Sequence, residues 1–127
     1  MARVVHFEIH ADNPERAAAF YRGVFDWQIT KWGGPQDYWL VTTGADSEPG
    51  INGAILQRQG PVNGDSVIAY VCTIDVADID ATIAKATTQG ATEALPKMTV
   101  QGIGWLAYFK DTEGNIFGML QADRSAA

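Results

Sequence analysis

The order strand, helix, three strands occurs twice in this 127-residue chain, and that repeat narrows the available folds more than any short motif does. In the first copy, Arg3 to His10 alternates, with Val5, Phe7 and Ile9 on one face and His6, Glu8 and His10 on the other. Asn13, Pro14 and Glu15 then open a helix. A short side-chain acceptor, a fixed φ and a negative charge each suit the first turn. Ala17, Phe20, Tyr21, Val24 and Phe25 recur at helical spacing and form its apolar stripe. Strands are expected at 27–32, 37–42 and 51–58, with a Gly33-Gly34-Pro35 turn and a polar loop from Gly44 to Gly50. Gly53 marks a bend or a close backbone approach.

Residues 59–66 are rich in Gly, Pro and Asn and read as a linker, after which the order recurs. Residues 67–74 form a strand, and Asp75 caps a helix from about Ala77 to Gln89, with Ile79, Ile83 and Ala86 buried and Gly90 as its stop. A short strand at 98–100 and two more complete the copy. Setting Asp12 against Asp75 places His6 opposite Ala69, and the Leu56-Gln57 pair falls against Leu120-Gln121. An ordinary ferredoxin-like α+β sandwich would account for two helices and several strands, but not for those matched ends. The expectation is an α+β protein of two βαβββ modules, about 1–58 and 67–127, forming paired curved mixed sheets around a cleft within a single domain.

The segment from Gly102 to Gln121 carries a resemblance. Trp105, Ala107 and Phe109 alternate with Leu106 and Tyr108, so both faces of that strand are apolar. Asp111-Thr112-Glu113-Gly114-Asn115 supplies a tight turn in which Gly114 is free to take positive φ, and Ile116 to Gln121 runs out as an apolar strand. This strand, D-x-x-G-N turn and closing strand resemble the way members of the vicinal oxygen chelate superfamily end. That superfamily holds the glyoxalases, the bleomycin-resistance proteins and the extradiol dioxygenases.

The resemblance implies a divalent metal held by one residue from the first and one from the last strand of each module. Carried over position by position, those places are His6, Ala54, Ala69 and Gly118, and only His6 can bind a metal. An open catalytic site needs about three protein ligands. No cofactor is therefore expected, and metal-dependent isomerisation or ring cleavage is disfavoured. The small residues Ala54, Ala69 and Gly118 would leave room for a ligand instead.

His6, Glu8 and His10 are the candidate catalytic residues, and three readings of them stay open. They line a polar cleft, they act as acid-base or ligand-contacting groups, or they hold a metal among themselves. Alternate strand residues lie about 6.6 Å apart, which suits two ligands better than three. Either histidine could titrate near neutral pH, with Glu8 raising its pKa. Trp39 and Trp105 lie on interior strands beside Tyr38 and Tyr108, and are the candidate aromatic walls for a flat organic ligand, although core burial is the default for tryptophan. Cys72 sits in an apolar run and reads as inert core.

A net charge of −6 with nine scattered basic residues argues against nucleic acid, which needs clustered Lys and Arg. No run approaches membrane-spanning length and no secretory leader is evident. A single cysteine favours a reducing, cytoplasmic setting. The expected function is metal-independent binding of a small organic molecule, as in the bleomycin-resistance branch. The alternative is a glyoxalase-like lyase or isomerase, or a dioxygenase, with its metal around His6, Glu8 and His10. A homodimer is expected in either case, from the apolar strand edges and surplus aromatics.

Overall fold

The computed structural model describes residues 2–61, 70–112 and 115–127. Among them are β1 (Arg3–Ala11), α1 (Pro14–Phe25), β2 (Gln28–Lys31), β3 (Tyr38–Thr42) and β4 (Asn52–Gln57). The same order follows in β5 (Tyr70–Asp75), α2 (Ile79–Thr88), β6 (Thr92–Val100), β7 (Gly104–Lys110) and β8 (Ile116–Ala122). The two βαβββ modules are therefore present. Ala69, the Gly114 turn position and most of the 59–66 linker lie outside the described residues. The chain divides into two compact units, His6–Val71 and Met1–Val5 with Cys72–Ala127.

In the unit His6–Val71 the strands run β2-β3-β4-β1, with β1 and β4 parallel and the other neighbours antiparallel. Asn13 caps α1 by accepting from the Arg16 N–H, Pro14 fills the first turn, and Asp26 ends the helix at φ 59. The register aligns Phe7 with Gly53, Ile9 with Ile55 and Trp39 with Ile55, so these residues share one face of the sheet. That face and Ala18 of α1 make the core, together with Ala11, Ile29 and Val41. A side chain at Gly53 would run into the Phe7 carbonyl oxygen and ring, which is the close approach the sequence suggested.

The other unit orders its strands β5-β8-β7-β6, with β5 and β8 parallel. Val76, Ile79, Ala107, Phe109 and Met119 form its core, with Trp105, Ile83 and Phe117 packed against them. Asp75 does not cap α2, because it is still paired in β5 with Leu120. Asp78 caps the helix instead, accepting from the Ala81 N–H. Strand β6 is longer than the expected 98–100. It runs through Pro96, and its pairing with β7 shifts register between Leu95 and Met98, so the missing proline N–H falls at an irregularity on an edge strand. Cys72 is exposed rather than core.

The matched Leu-Gln ends have a structural cause. Gln57 donates from Nε2 to the Asp12 carbonyl at 2.9 Å, just before α1 begins. Gln121 Oε1 accepts the Ile79 N–H at 2.9 Å, at the first turn of α2. In each module the glutamine ending the last strand ties down the entrance to the helix.

Candidate functional site

Strand alternation sends His6, Glu8 and His10 to the face of β1 opposite the core. The register adds to them Asn52, Ala54 and Leu56 from β4 and Tyr38 and Leu40 from β3. Tyr38 joins two of the three acid-base candidates. Its hydroxyl donates to Glu8 Oε2 at 2.7 Å and lies 3.0 Å from His6 Nε2. His10 sits on the other side of Glu8, with Nε2 3.8 Å from Oε1, beyond hydrogen-bonding distance. Glu8 is only 7% exposed and His10 only 9%, so this is a buried polar cluster. Both His10 ring nitrogens are buried without a hydrogen-bond partner among the described residues. Each such atom costs about 1–3 kcal/mol until something pairs with it.

Burial lowers the His6 pKa below its usual 6.5, outweighing the opposite pull of the Glu8 carboxylate. The expected upward pull of Glu8 is present, but burial is the larger of the two effects. Removing the imidazolium from water costs more than the nearby carboxylate returns, so His6 is a neutral ring at neutral pH.

Trp39 is on the other face. It is 7% exposed within the core, its indole N–H donates to Glu15 Oε1 at 3.0 Å, and Lys31 Nζ lies 5.3 Å from its ring centre. Trp105 aligns with Gln121 and packs against the core beside α2, with its N–H directed to Asp123 Oδ2 at 3.3 Å and Lys97 Nζ 5.2 Å from the ring. Gly118 aligns instead with Tyr108 and Thr73, on the face away from Trp105. The indole walls are thus corrected: in each module the tryptophan faces the helix, and the tyrosine of the same sheet faces away from it. Gly118 does not leave an open space either. A Cβ there would stand 3.0 Å from the Tyr108 ring and 3.1 Å from Thr73 Oγ1. Ala54 is fully buried, beside Glu8 and Leu40.

Tyr38 was the site residue that sequence reasoning passed over in favour of its neighbour Trp39. Alternation separates the two onto opposite faces, but it does not say which face meets β1, because that depends on the β3–β4 and β4–β1 registers. Among the described residues no group of three or more His, Cys, Asp and Glu side chains is placed to hold a metal ion. The ligand positions His6, Ala54 and Gly118 supply one donor, whose Nε2 already meets Tyr38. This donor set does not fit the metal centre that the family resemblance implies.

Two βαβββ modules with a polar, hydrogen-bonded sheet face define a class, and sequence comparison agrees with it. Residues 3–119 match the model of the Glyoxalase/Bleomycin resistance protein/Dioxygenase superfamily, and the chain belongs to that superfamily. Among solved structures, it is similar to a hypothetical protein from Bacillus halodurans C-125 at 13% identity and TM-score 0.68, over 99% of this chain and 98% of that one. It is also similar to a methylmalonyl-CoA epimerase in complex with methylmalonyl-CoA and NH4+, at 12% identity and TM-score 0.68, over 100% and 99% of the two chains. A Streptomyces coelicolor methylmalonyl-CoA epimerase variant in complex with 2-nitronate-propionyl-CoA matches at 13% identity and TM-score 0.67, over 98% and 97%. At these identities the likeness is one of fold alone. No curated protein matches the sequence.

Proposed function

We propose that this chain is a metal-independent, small-molecule-binding member of its superfamily, of the bleomycin-resistance kind, and that the ligand meets the sheet face carrying His6, Glu8, Tyr38 and His10. The observation behind this reading is the fate of the ligand positions. Ala54 offers no donor, Gly118 is backed by the Tyr108 ring, and His6 Nε2 is engaged by Tyr38. The polar groups that remain, with His10 unpartnered and buried among them, suit a hydrogen-bonded organic ligand. The protein acts as a homodimer in the cytoplasm, in keeping with its lone, exposed, unbridged Cys72. Nucleic acid and membrane are not its partners. The net charge of −6 opposes the first, and no helix of the described residues is long and apolar enough to cross the second.

Elemental analysis tests the reading directly and separates it from a metal-dependent lyase, isomerase or dioxygenase. Purified protein is expected to carry far less than one divalent metal ion per chain. About one zinc, nickel or iron per chain, lost in His6→Ala, would overturn it.

A further inference from the structure

One polar side chain on the His6 face is left without a partner. His10 aligns with Leu56, which aligns in turn with Tyr38, and it is only 9% exposed. Neither of its ring nitrogens has a hydrogen-bond partner among the described residues. An uncharged imidazole donates at one nitrogen and accepts at the other, so burial leaves both functions unmet. Buried polar groups in folded proteins are nearly always paired, and an orphan of this kind points to a partner from outside the chain.

The atom nearest to serving His10 is Glu8 Oε1, 3.8 Å from Nε2 and too far for a direct bond. Tyr38 donates to the other carboxylate oxygen, Oε2, at 2.7 Å. Glu8 takes part in a further interaction as well, but a carboxylate offers about four acceptor positions, and one more donor fits beside the others. Lone pairs on Oε1 favour the ring form with its hydrogen on Nε2, since a bare nitrogen there would set lone pair against lone pair. Whatever joins the two must then accept from Nε2–H and donate to Oε1. A hydroxyl does both with one atom: held about 2.8 Å from each, its oxygen sees the two at roughly a right angle. An ammonium only donates, and a carbonyl or carboxylate only accepts.

The surroundings describe the rest of such a molecule. Ala54 aligns with Glu8, Leu56 with His10 and Leu40 with Ala54, so the neighbouring side chains of β3 and β4 are apolar. Leu40 is 40% exposed, which leaves it free to meet a carbon skeleton. Arg58 follows Leu56 by alternation and holds Asp12, with Nε 3.0 Å from Oδ1, so charge of both signs stands on this face and charge alone selects no ligand. We infer that the Glu8–His10 pair is a hydroxyl subsite, and that the ligand of this face carries an alcohol or phenol on an apolar skeleton. The inference rests on the assignment of the ligand to this face, and adds to it the group that enters between the two side chains.

With only two histidines in the chain, their ring signals can be told apart. Nitrogen-detected NMR of the 15N-labelled protein at neutral pH is expected to show a hydrogen on His10 Nε2, and a bare Nε2 overturns the inference. The protein is then titrated with phenol and, separately, with anisole, which keeps the ring and the oxygen but has no hydrogen to give. Phenol is expected to move the His10 ring signals at about tenfold lower concentration, the worth of one hydrogen bond to a carboxylate. In His10→Phe, which keeps a flat ring without nitrogens, the backbone amides of β1 and β4 should respond to both probes alike. Anisole acting on the wild type as well as phenol overturns the hydroxyl subsite and leaves the face as the ligand site, and so does a preference for phenol that survives in His10→Phe. If neither probe moves His10 or His6, the pair holds a trapped water only, and the subsite and the location of the ligand fall together.

Discussion

At His6 two effects of opposite sign act on one proton, and their balance has a measurable consequence. Burial disfavours the charged ring, Glu8 favours it, and burial prevails, so the folded pKa lies below 6.5. An unfolded chain takes up a proton on His6 near pH 6.5 while the folded one resists it. The stability His6 contributes is therefore complete above pH 6.5, falls as the pH drops below that value, and stops falling once the folded ring is protonated as well. Urea unfolding across this range should show a shallower fall for His6→Gln than for the wild type, and parallel curves would show that burial does not govern this ring. Gly118 makes a second residue-scale case. The room a missing ligand would leave is taken by Tyr108 and Thr73, so a methyl group there must push the Tyr108 ring by a few tenths of an ångström. Gly118→Ala should cost about 1–3 kcal/mol, the usual range for overpacking. A neutral result would mean the ring yields freely and the position is open after all.

Within the strands, a one-residue step decides which face a side chain joins. Tyr38 and Trp39 are neighbours in β3, yet one bonds to Glu8 and the other fills the core beneath α1. Alternation was readable from the sequence, and so were both helices, because Asn13-Pro14 and the Phe20, Tyr21, Val24 and Phe25 spacing are local signals. Which face of β3 meets β1 was not readable, since register is fixed by pairing between strands far apart in the chain. The start of β6 was hidden for a related reason: Pro96 argues locally against a strand, and only an irregular pairing with β7 admits it. The tryptophans turn this distinction into a prediction. Trp39→Ala should lose about 3–5 kcal/mol of stability, as a truncated core aromatic does, and Trp105→Ala, half-buried against its own core, should fall at the lower end of that range. Thermal and urea unfolding read both. A Trp39→Ala variant that keeps wild-type stability would return the indole to the role of a ligand wall.

For the molecule as a whole, the repeat visible in the sequence proved to be carried by ordinary physical devices, above all the glutamines at the ends of β4 and β8 that tie down each helix entrance. The expectation of a homodimer rests in the sequence on apolar strand edges and surplus aromatics, because a sequence does not say which apolar side chains remain outside. The structure places Phe20, Val24 and Phe25 on α1 at 58%, 56% and 54% exposure. Phe20 lies edge-on to Tyr21 at 5.2 Å, and Tyr21 is stacked on Trp27 at 5.0 Å. The Tyr21 hydroxyl meets that of Tyr70 at 2.8 Å, which extends the patch to another side chain about half exposed. Together these side chains offer roughly 300–400 Å² of exposed apolar surface, the size of the largest patch on many proteins and often a functional one. A standard interface takes about 800 Å² from each partner, so the patch would form the apolar centre of one, with a polar rim around it. A second copy of the chain is the expected occupant, since a patch on a two-fold axis meets its own equally apolar image and needs no other partner. Light scattering at micromolar concentration should therefore give twice the mass of the chain for the wild type. Phe20→Glu, exposed and without a core role, should shift the protein to monomer while leaving its unfolding cooperative. A wild type that stays monomeric, or a Phe20→Glu variant that stays dimeric, would remove this face from the interface.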